Sequence, residues 1–247
     1  MGYYTKGLFS YAADSENYKK FAIKEAKEQP DWNRIRTLFT ASDGTIWAGT
    51  YAGIIRIKKN GDYTLYDATK TANFPNNRNY SIYEDTNKHL WVACWGGVAK
   101  FNLNTNKFES YKGQHLLEKY HVRDVSFIDN ELILATENNG LRLFDVYKNG
   151  ELQTITTKNG ILSNSTYAVY KDSKTGYYWV ATLGGLTIFD KEKGIIKNIT
   201  EKEGLPSQLV YGILTNKNDV WISTTKGIAI INKTNFSVKP FYPKGGW

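Results

Sequence analysis

The sequence predicts an all-β fold, a β-propeller of four-stranded blades with five complete blades and a partial N-terminal one. Three observations carry that expectation. Tryptophans recur at Trp47, Trp91, Trp179 and Trp221, with Ile133 in the matching slot of the middle unit, at steps of 44, 42, 46 and 42 residues. Glycines keep the same rhythm at Gly53, Gly97, Gly140, Gly185 and Gly227. The chain is also 15% aromatic with 21 Gly in 247 residues, a composition of short strands broken by turns. Four short strands in each unit of roughly 40 residues is the pattern of a propeller blade, and it excludes helical solenoids.

The elements follow in order along each unit: an apolar strand, an Asp or Asn turn, a strand carrying the Trp, a short loop ending in Gly, a third strand, a turn and an aromatic outer strand. The second unit shows this best. Tyr80, Ile82 and Tyr83 lead into a turn at Asp85, then Trp91, Val92 and Ala93, then Gly97 opening Val98 to Phe101, with Phe108 and Tyr111 closing the unit. The expected blades are 33–76, 77–119, 120–163, 164–207 and 208–247. Ahead of them, residues 1–32 hold only the second half of a blade, GLFSY as a third strand and YKKFAI as an outer strand. The segment Tyr18 to Lys27 reads as an outer strand with a polar loop, or as one or two helical turns before Pro30. Five and a half blades do not close in the usual way, so the chain reads as a piece of a longer polypeptide or as a six-bladed ring with one thin blade. The Trp and Gly columns are structural: buried rings between blades, and glycines at a tight loop.

Composition also removes several functions. Lys+Arg 32 against Asp+Glu 24 gives +8, but the cations are scattered and no run of five or six like charges appears, so nucleic acid is not expected as a partner. The single cysteine, Cys94, can form no internal disulfide and sits in an apolar strand. No apolar stretch is long enough to span a bilayer, and MGYYTKGLFS lacks a charged leader followed by an apolar core. There is no metal-ligand spacing and no phosphate-binding glycine loop, so no metal and no cofactor are expected.

The segments SIYEDTNKHLWVACWGGVAKFN (81–102), AVYKDSKTGYYWVATLGGLTIFD (168–190) and TASDGTIWAGTYAGI (40–54) resemble the two-component regulator propeller repeat. The loops NGILSNS (159–165) and EGLPSQL (203–209) are similar to that family's links between blades. Ile133 for Trp, Ile128 for the turn Asp and Ala41 for another turn Asp are local departures. The resemblance implies a periplasmic or extracellular sensing domain of a bacterial hybrid two-component system, with an oligosaccharide or other small ligand, kinase domains in the same polypeptide and a homodimer as partners. It also leaves open a surface or secretion-associated assembly propeller, and a lyase similar to streptogramin lyase.

Ligand-binding residues are expected on the loops of one face, since blades serve to hold such loops rigidly. The loops between second and third strands offer Tyr51, Trp95, Asn138 and Lys226. Trp95 lies outside the core Trp register and reads either as an exposed aromatic for binding or as packing. The links between blades offer Arg34, Arg78 and His121, and two residues later Arg36, Tyr80, Arg123, Tyr167 and Tyr211. Flat rings can stack on sugars while guanidinium groups hydrogen-bond hydroxyls or acidic substituents; the other reading is inter-blade packing with solvated tips. The amides Asn33, Asn77, Asn164 and Gln208 read as turn chemistry. No catalytic residue is assigned; His121 with Glu118 is the local acid–base candidate, and the expectation is a binding protein, not an enzyme.

Overall fold

The computed structural model describes residues 1–3, 6–12, 17–146 and 152–243. Residues 147–151 and 244–247 of two expected blades, and 4–5 and 13–16 of the partial one, lie outside the described residues. The chain forms two compact units, residues 1–127 and 128–247. Every sheet is an antiparallel meander whose strands follow one another in sequence.

In the first unit, β1 (Gly2–Tyr3), β2 (Gly7–Ala12) and β3 (Asn17–Phe21) form a three-stranded sheet. The sequence suggested two strands there; the short β1 is an addition, held by Met1 to Phe9 main-chain hydrogen bonding. After β3 the chain winds one 3-10 turn at Lys24–Lys27, so the segment is both an outer strand and a short helical turn. Then come β4 (Thr37–Thr40), β5 (Ile46–Gly49), β6 (Ile54–Ile57) and β7 (Tyr63–Tyr66), followed by β8 (Asn79–Glu84), β9 (His89–Cys94), β10 (Gly97–Asn102) and β11 (Lys107–Glu109). Strand β12 (Val122–Ile128) opens the fourth sheet. The second unit holds β13 (Glu131–Thr136), β14 (Gly140–Asp145) and β15 (Leu152–Ile155), then β16 (Thr166–Lys171), β17 (Tyr178–Thr182), β18 (Gly185–Asp190) and β19 (Gly194–Ile199). Its last sheet is β20 (Val210–Thr215), β21 (Asp219–Thr224), β22 (Gly227–Asn232) and β23 (Val238–Phe241).

The columns have distinct physical jobs. Trp47, Trp91, Ile133 and Trp179 are buried, and each such ring contributes about 2 to 3 kcal/mol of apolar burial. Trp47 meets Phe101 of the following sheet edge-on at 4.7 Å, Trp91 stacks on Phe127 at 5.1 Å, and Trp179 lies 5.8 Å from Phe236. Trp221 departs from the expected column: it is 40% exposed where Trp47, Trp91 and Trp179 are buried. The turn aspartates hold their turns through the backbone. Asp85 accepts hydrogen bonds from the amides of Asn87 and His89 and from the indole of Trp91 at 2.9 Å, tying the turn to the core ring.

Asp172 takes the same turn position in the second unit and adds an ion pair with Lys233 at 3.0 Å. Burial disfavours its charged form, but hydrogen bonds from Lys233 and from the amides of Thr175 and Lys174 outweigh it and bring its pKa down to about 2. The glycine column is required where an added Cβ would strike the outer strand: at Gly53, with φ +140°, it would stand 2.2 Å from the carbonyl of Tyr66, and at Gly185, with φ +131°, 2.6 Å from that of Ile199.

Two outcomes test these jobs. Gly185→Ala should lower the unfolding free energy in urea by about 1 to 3 kcal/mol, since it adds both a strained φ and a backbone clash. Because the carboxyl of Asp172 is held below its unfolded value, its stabilisation is complete above pH 4 or so. It should be lost as pH falls through about 2. The loss is about 2 kcal/mol, read from urea midpoints across that range and flattened in Asp172→Asn.

Candidate functional site

The loops that present the predicted residues are built from local hydrogen bonds. The hydroxyl of Thr50 donates to the carbonyl of Gly53 at 2.8 Å and accepts from the amide of Ala52 at 3.0 Å, closing the loop that carries Tyr51. Thr182 repeats this with Gly185 and Gly184, and Thr224 with Gly227 and Lys226. In the corresponding slot of β9 stands Cys94, a buried thiol 3.2 Å from the side chain of Asn79, with its pKa pushed up by burial. The Trp95 loop is pinned at both ends, from its amide to the carbonyl of Arg78 and from Gly96 and Gly97 to that of Tyr120, all at 3.0 Å.

The inner strands contribute a second device. The pairing of β8 with β9 slips between Asn79 and Ser81, that of β16 with β17 between Thr166 and Ala168, and that of β20 with β21 between Val210 and Gly212. The residues left over by these three β-bulges are Tyr80, Tyr167 and Tyr211, all of them predicted site residues. A bulge re-aims the extra side chain out of the strand's alternation. Between sheets, the links turn on capped 3-10 segments: Thr156 with Asn159 and Thr200 with Glu203 form capping boxes. Asn77 and Asn164 accept from the amides of Ala68 and Thr157, the turn chemistry expected of them.

In the first unit these devices bring eight predicted residues into one cluster. The guanidinium of Arg34 lies 4.5 Å from the ring of Tyr51, and Arg36 lies 4.9 Å from Tyr51 and 4.5 Å from Tyr80. Arg36 also donates to the Tyr51 hydroxyl. Arg78 sits 5.5 Å from Tyr51 and 5.6 Å from Trp95, and Arg123 sits 4.5 Å from Tyr80 and 5.5 Å from Trp95. His121 stacks on Trp95 with centroids 3.7 Å apart and planes at 19°. Tyr80 and Trp95 are 6.2 Å apart.

Cations and rings thus alternate across the cluster. Each contact of this kind is worth roughly 0.5 to 2 kcal/mol depending on desolvation, and guanidinium groups stay charged at all relevant pH. Asp31 pairs with Arg34 at 3.2 Å. Of the two readings of Trp95 the contacts show packing: it is half-buried, and its ring is the plate on which Arg78, Arg123 and His121 rest.

In the second unit the remaining predicted residues do not form such a cluster. Tyr167 and Tyr211 meet edge-to-face at 5.0 Å. Asn138 is in a left-handed turn conformation, φ 64°, and its side chain accepts from Ser165 at 2.6 Å. Lys226 is exposed on its loop. Among the described residues no group of three or more metal-ligating side chains occurs, and no helix is long and apolar enough to cross a membrane.

Residues 73–96, which run through β8 and β9 to the Trp95 loop, match the two component regulator propeller family. That segment, one blade's first two strands, is similar to one copy of the two-component regulator propeller repeat. In fold it is similar to the extracellular domain described for a hybrid two component system of B. thetaiotaomicron, at 20% identity and TM-score 0.72, over 86% of this chain and 29% of that one. It is similar also to that of a one component system of the same organism, at 19% and 0.73, over 96% of this chain and 34% of that one. Virginiamycin B lyase from Staphylococcus aureus shares the fold at 14% and 0.73, over 97% of this chain and 78% of the lyase. No curated protein matches the sequence. The propeller chain spans about a third of the two extracellular domains.

Since Trp95 supports two guanidinium groups and the His121 ring at once, Trp95→Ala should lower stability in urea by about 1 to 3 kcal/mol while leaving the far-ultraviolet spectrum that of a β-protein. Tyr51→Phe, which removes only the hydroxyl that accepts from Arg36, should cost no more than about 1.5 kcal/mol.

Proposed function

We propose that the chain is a binding module of a periplasmic or extracellular two-component sensor. Its ligand is an oligosaccharide or similar ring-bearing molecule with carboxylate, sulfate or closely spaced hydroxyl groups, held at the Arg34–Arg36–Tyr51–Arg78–Tyr80–Trp95–His121–Arg123 cluster. The observation that carries this reading is the alternation of four guanidinium groups with three aromatic rings in loops that the sheets hold fixed. Rings offer faces to a sugar, and guanidinium edges offer paired donors to an acidic group. The likeness to extracellular domains of regulatory systems supports a sensory role, with kinase domains elsewhere in the same polypeptide as the recipients of the signal.

The work of the site is recognition. The ring of His121 is engaged in the Trp95 stack, so the residue that the sequence offered as a proton carrier acts as part of the aromatic floor. The lyase likeness is one of fold, and virginiamycin B should pass unchanged.

A ligand that binds only the folded chain raises stability by RT ln(1 + [L]/Kd), about 2.7 kcal/mol at a hundredfold excess. Thermal unfolding with a panel of neutral and acidic oligosaccharides should show a rise in Tm with one acidic class, absent in Arg123→Ala and diminished by salt. A sharp melt that no glycan moves would overturn the reading in favour of a surface assembly role, and turnover of virginiamycin B sensitive to His121→Ala would overturn it in favour of an enzyme.

A further inference from the structure

The second unit holds a cleft that the candidate site does not use. It lies where the β16–β17, β20–β21 and β22–β23 turns meet, and it encloses about 340 Å³. Its walls carry three lysines, Lys174, Lys217 and Lys233, and two rings, Tyr177 and Phe236. Asp172 pairs with Lys233 at 3.0 Å. Among the described residues Asp172 is the one carboxylate in the lining, so the exposed Lys174 and Lys217 leave the cleft with a surplus of positive charge.

Two features set this cleft apart from equivalent turns elsewhere in the chain. The first is backbone strain at Phe236. The turn after each third strand ends in a left-handed residue at a fixed distance from the column glycine: Asn106 after Gly97 with φ 56°, Gly194 after Gly185 with φ 76°, and Phe236 after Gly227 with φ 57°. Asn and Gly enter that region readily, whereas a bulky side chain does so at a cost, and such strain gathers at ligand sites. What it secures here is a ring on the cleft wall, 5.8 Å from Trp179.

The second feature is an orphaned donor. The indole N–H of Trp47 donates to Thr45 and that of Trp91 to Asp85, each at 2.9 Å. The indole N–H of Trp179 is buried with no hydrogen-bond partner. Asp172 stands where Asp85 stands, but its carboxylate is taken by Lys233, by the Tyr170 hydroxyl and by the amides of Lys174 and Thr175. A buried donor left unpaired is costly.

We propose that the cleft is a second binding site, for a six-membered ring that bears a carboxylate. Lysines without a carboxylate of their own call for an acid, the two aromatic walls for a flat or apolar face, and the volume for a single substituted ring. The carboxylate engages Lys174 and Lys217 and draws on Lys233. Asp172, relieved of part of that ammonium, then turns an oxygen to the Trp179 indole as Asp85 does to that of Trp91.

Titrating the isotope-labelled 247-residue chain with sodium glucuronate, sodium benzoate or glucose at constant ionic strength, and following the indole N–H signals by NMR, tests this. The Trp179 signal is assigned through its proximity to the Phe236 ring. At least one of the two acids should shift it saturably; glucuronate alone assigns a sugar acid, and benzoate alone an aromatic acid. Lys217→Glu should weaken the binding roughly tenfold, the loss of one charged contact. Phe236→Asn, which installs the residue found at the equivalent Asn106, should keep the fold and weaken binding as well. Arg123→Ala, in the first unit, should leave the shift unchanged. No shift with either acid overturns the proposal, as does an equal shift with glucose. A shift that Lys217→Glu does not weaken, or that Arg123→Ala abolishes, overturns it too.

Discussion

The packing of one sheet's second-strand ring against the next sheet's apolar pair is the interaction on which everything else rests. Among the described residues the ladders run within sheets, each a meander of consecutive strands. Single main-chain bonds, such as that from Asn79 to the carbonyl of Thr50, run between sheets, and side-chain burial adds rings such as Trp47 beside Tyr66 and Phe101, and Trp91 beside Tyr111 and Phe127. A flat ring with one stacked partner and one edge-on partner fixes spacing and tilt at once, which smaller aliphatic residues do less sharply. The middle unit shows the alternative: Ile133 fills its slot within a core of Leu141, Val169, Tyr178 and Phe189. There a neighbouring tyrosine supplies the bulk.

Rigid spacing between sheets is what allows the loops to act together. Tyr51 and Trp95 come from loops between second and third strands, whereas Arg36, Tyr80 and Arg123 come from the approaches to inner strands, so the cluster draws on several sheets. No single sheet could assemble it. The threonine hydroxyls and the bulges at Tyr80, Tyr167 and Tyr211 translate the order of the sheets into fixed directions for these side chains. Both devices are short-range, which is why they survive large changes in the residues that the loops display.

Much of this was legible in the sequence because it repeats. A spacing that recurs at Trp47, Trp91, Ile133, Trp179 and Trp221 says where second strands lie, and the glycines say where third strands begin. The exposure of Trp221 was not legible, since a repeat describes what a position is and not how far its ring is covered. The bulges were hidden too: an inserted residue shows in pairing, not in composition, although the tyrosine recurring two residues after the link was their trace. The threonine column Thr50, Thr136, Thr182 and Thr224 stood in the sequence three or four residues before four of the five glycines, with Cys94 before Gly97, and could have been found. The site was half legible. The residue types were visible, but only the first unit gathers them, because Asn138 and Lys226 lack the aromatic plate that Trp95 supplies.

Cys94 has a consequence of another kind. It is the chain's one sulfhydryl, fully buried and kept in its protonated, unreactive form by its surroundings. To a maleimide or an iodoacetamide the folded protein is a blank background. A cysteine introduced on any of the loops would be the single point of attachment for a fluorophore or spin label, with no native thiol to remove first. The molecule comes ready for distance measurements of its own loops.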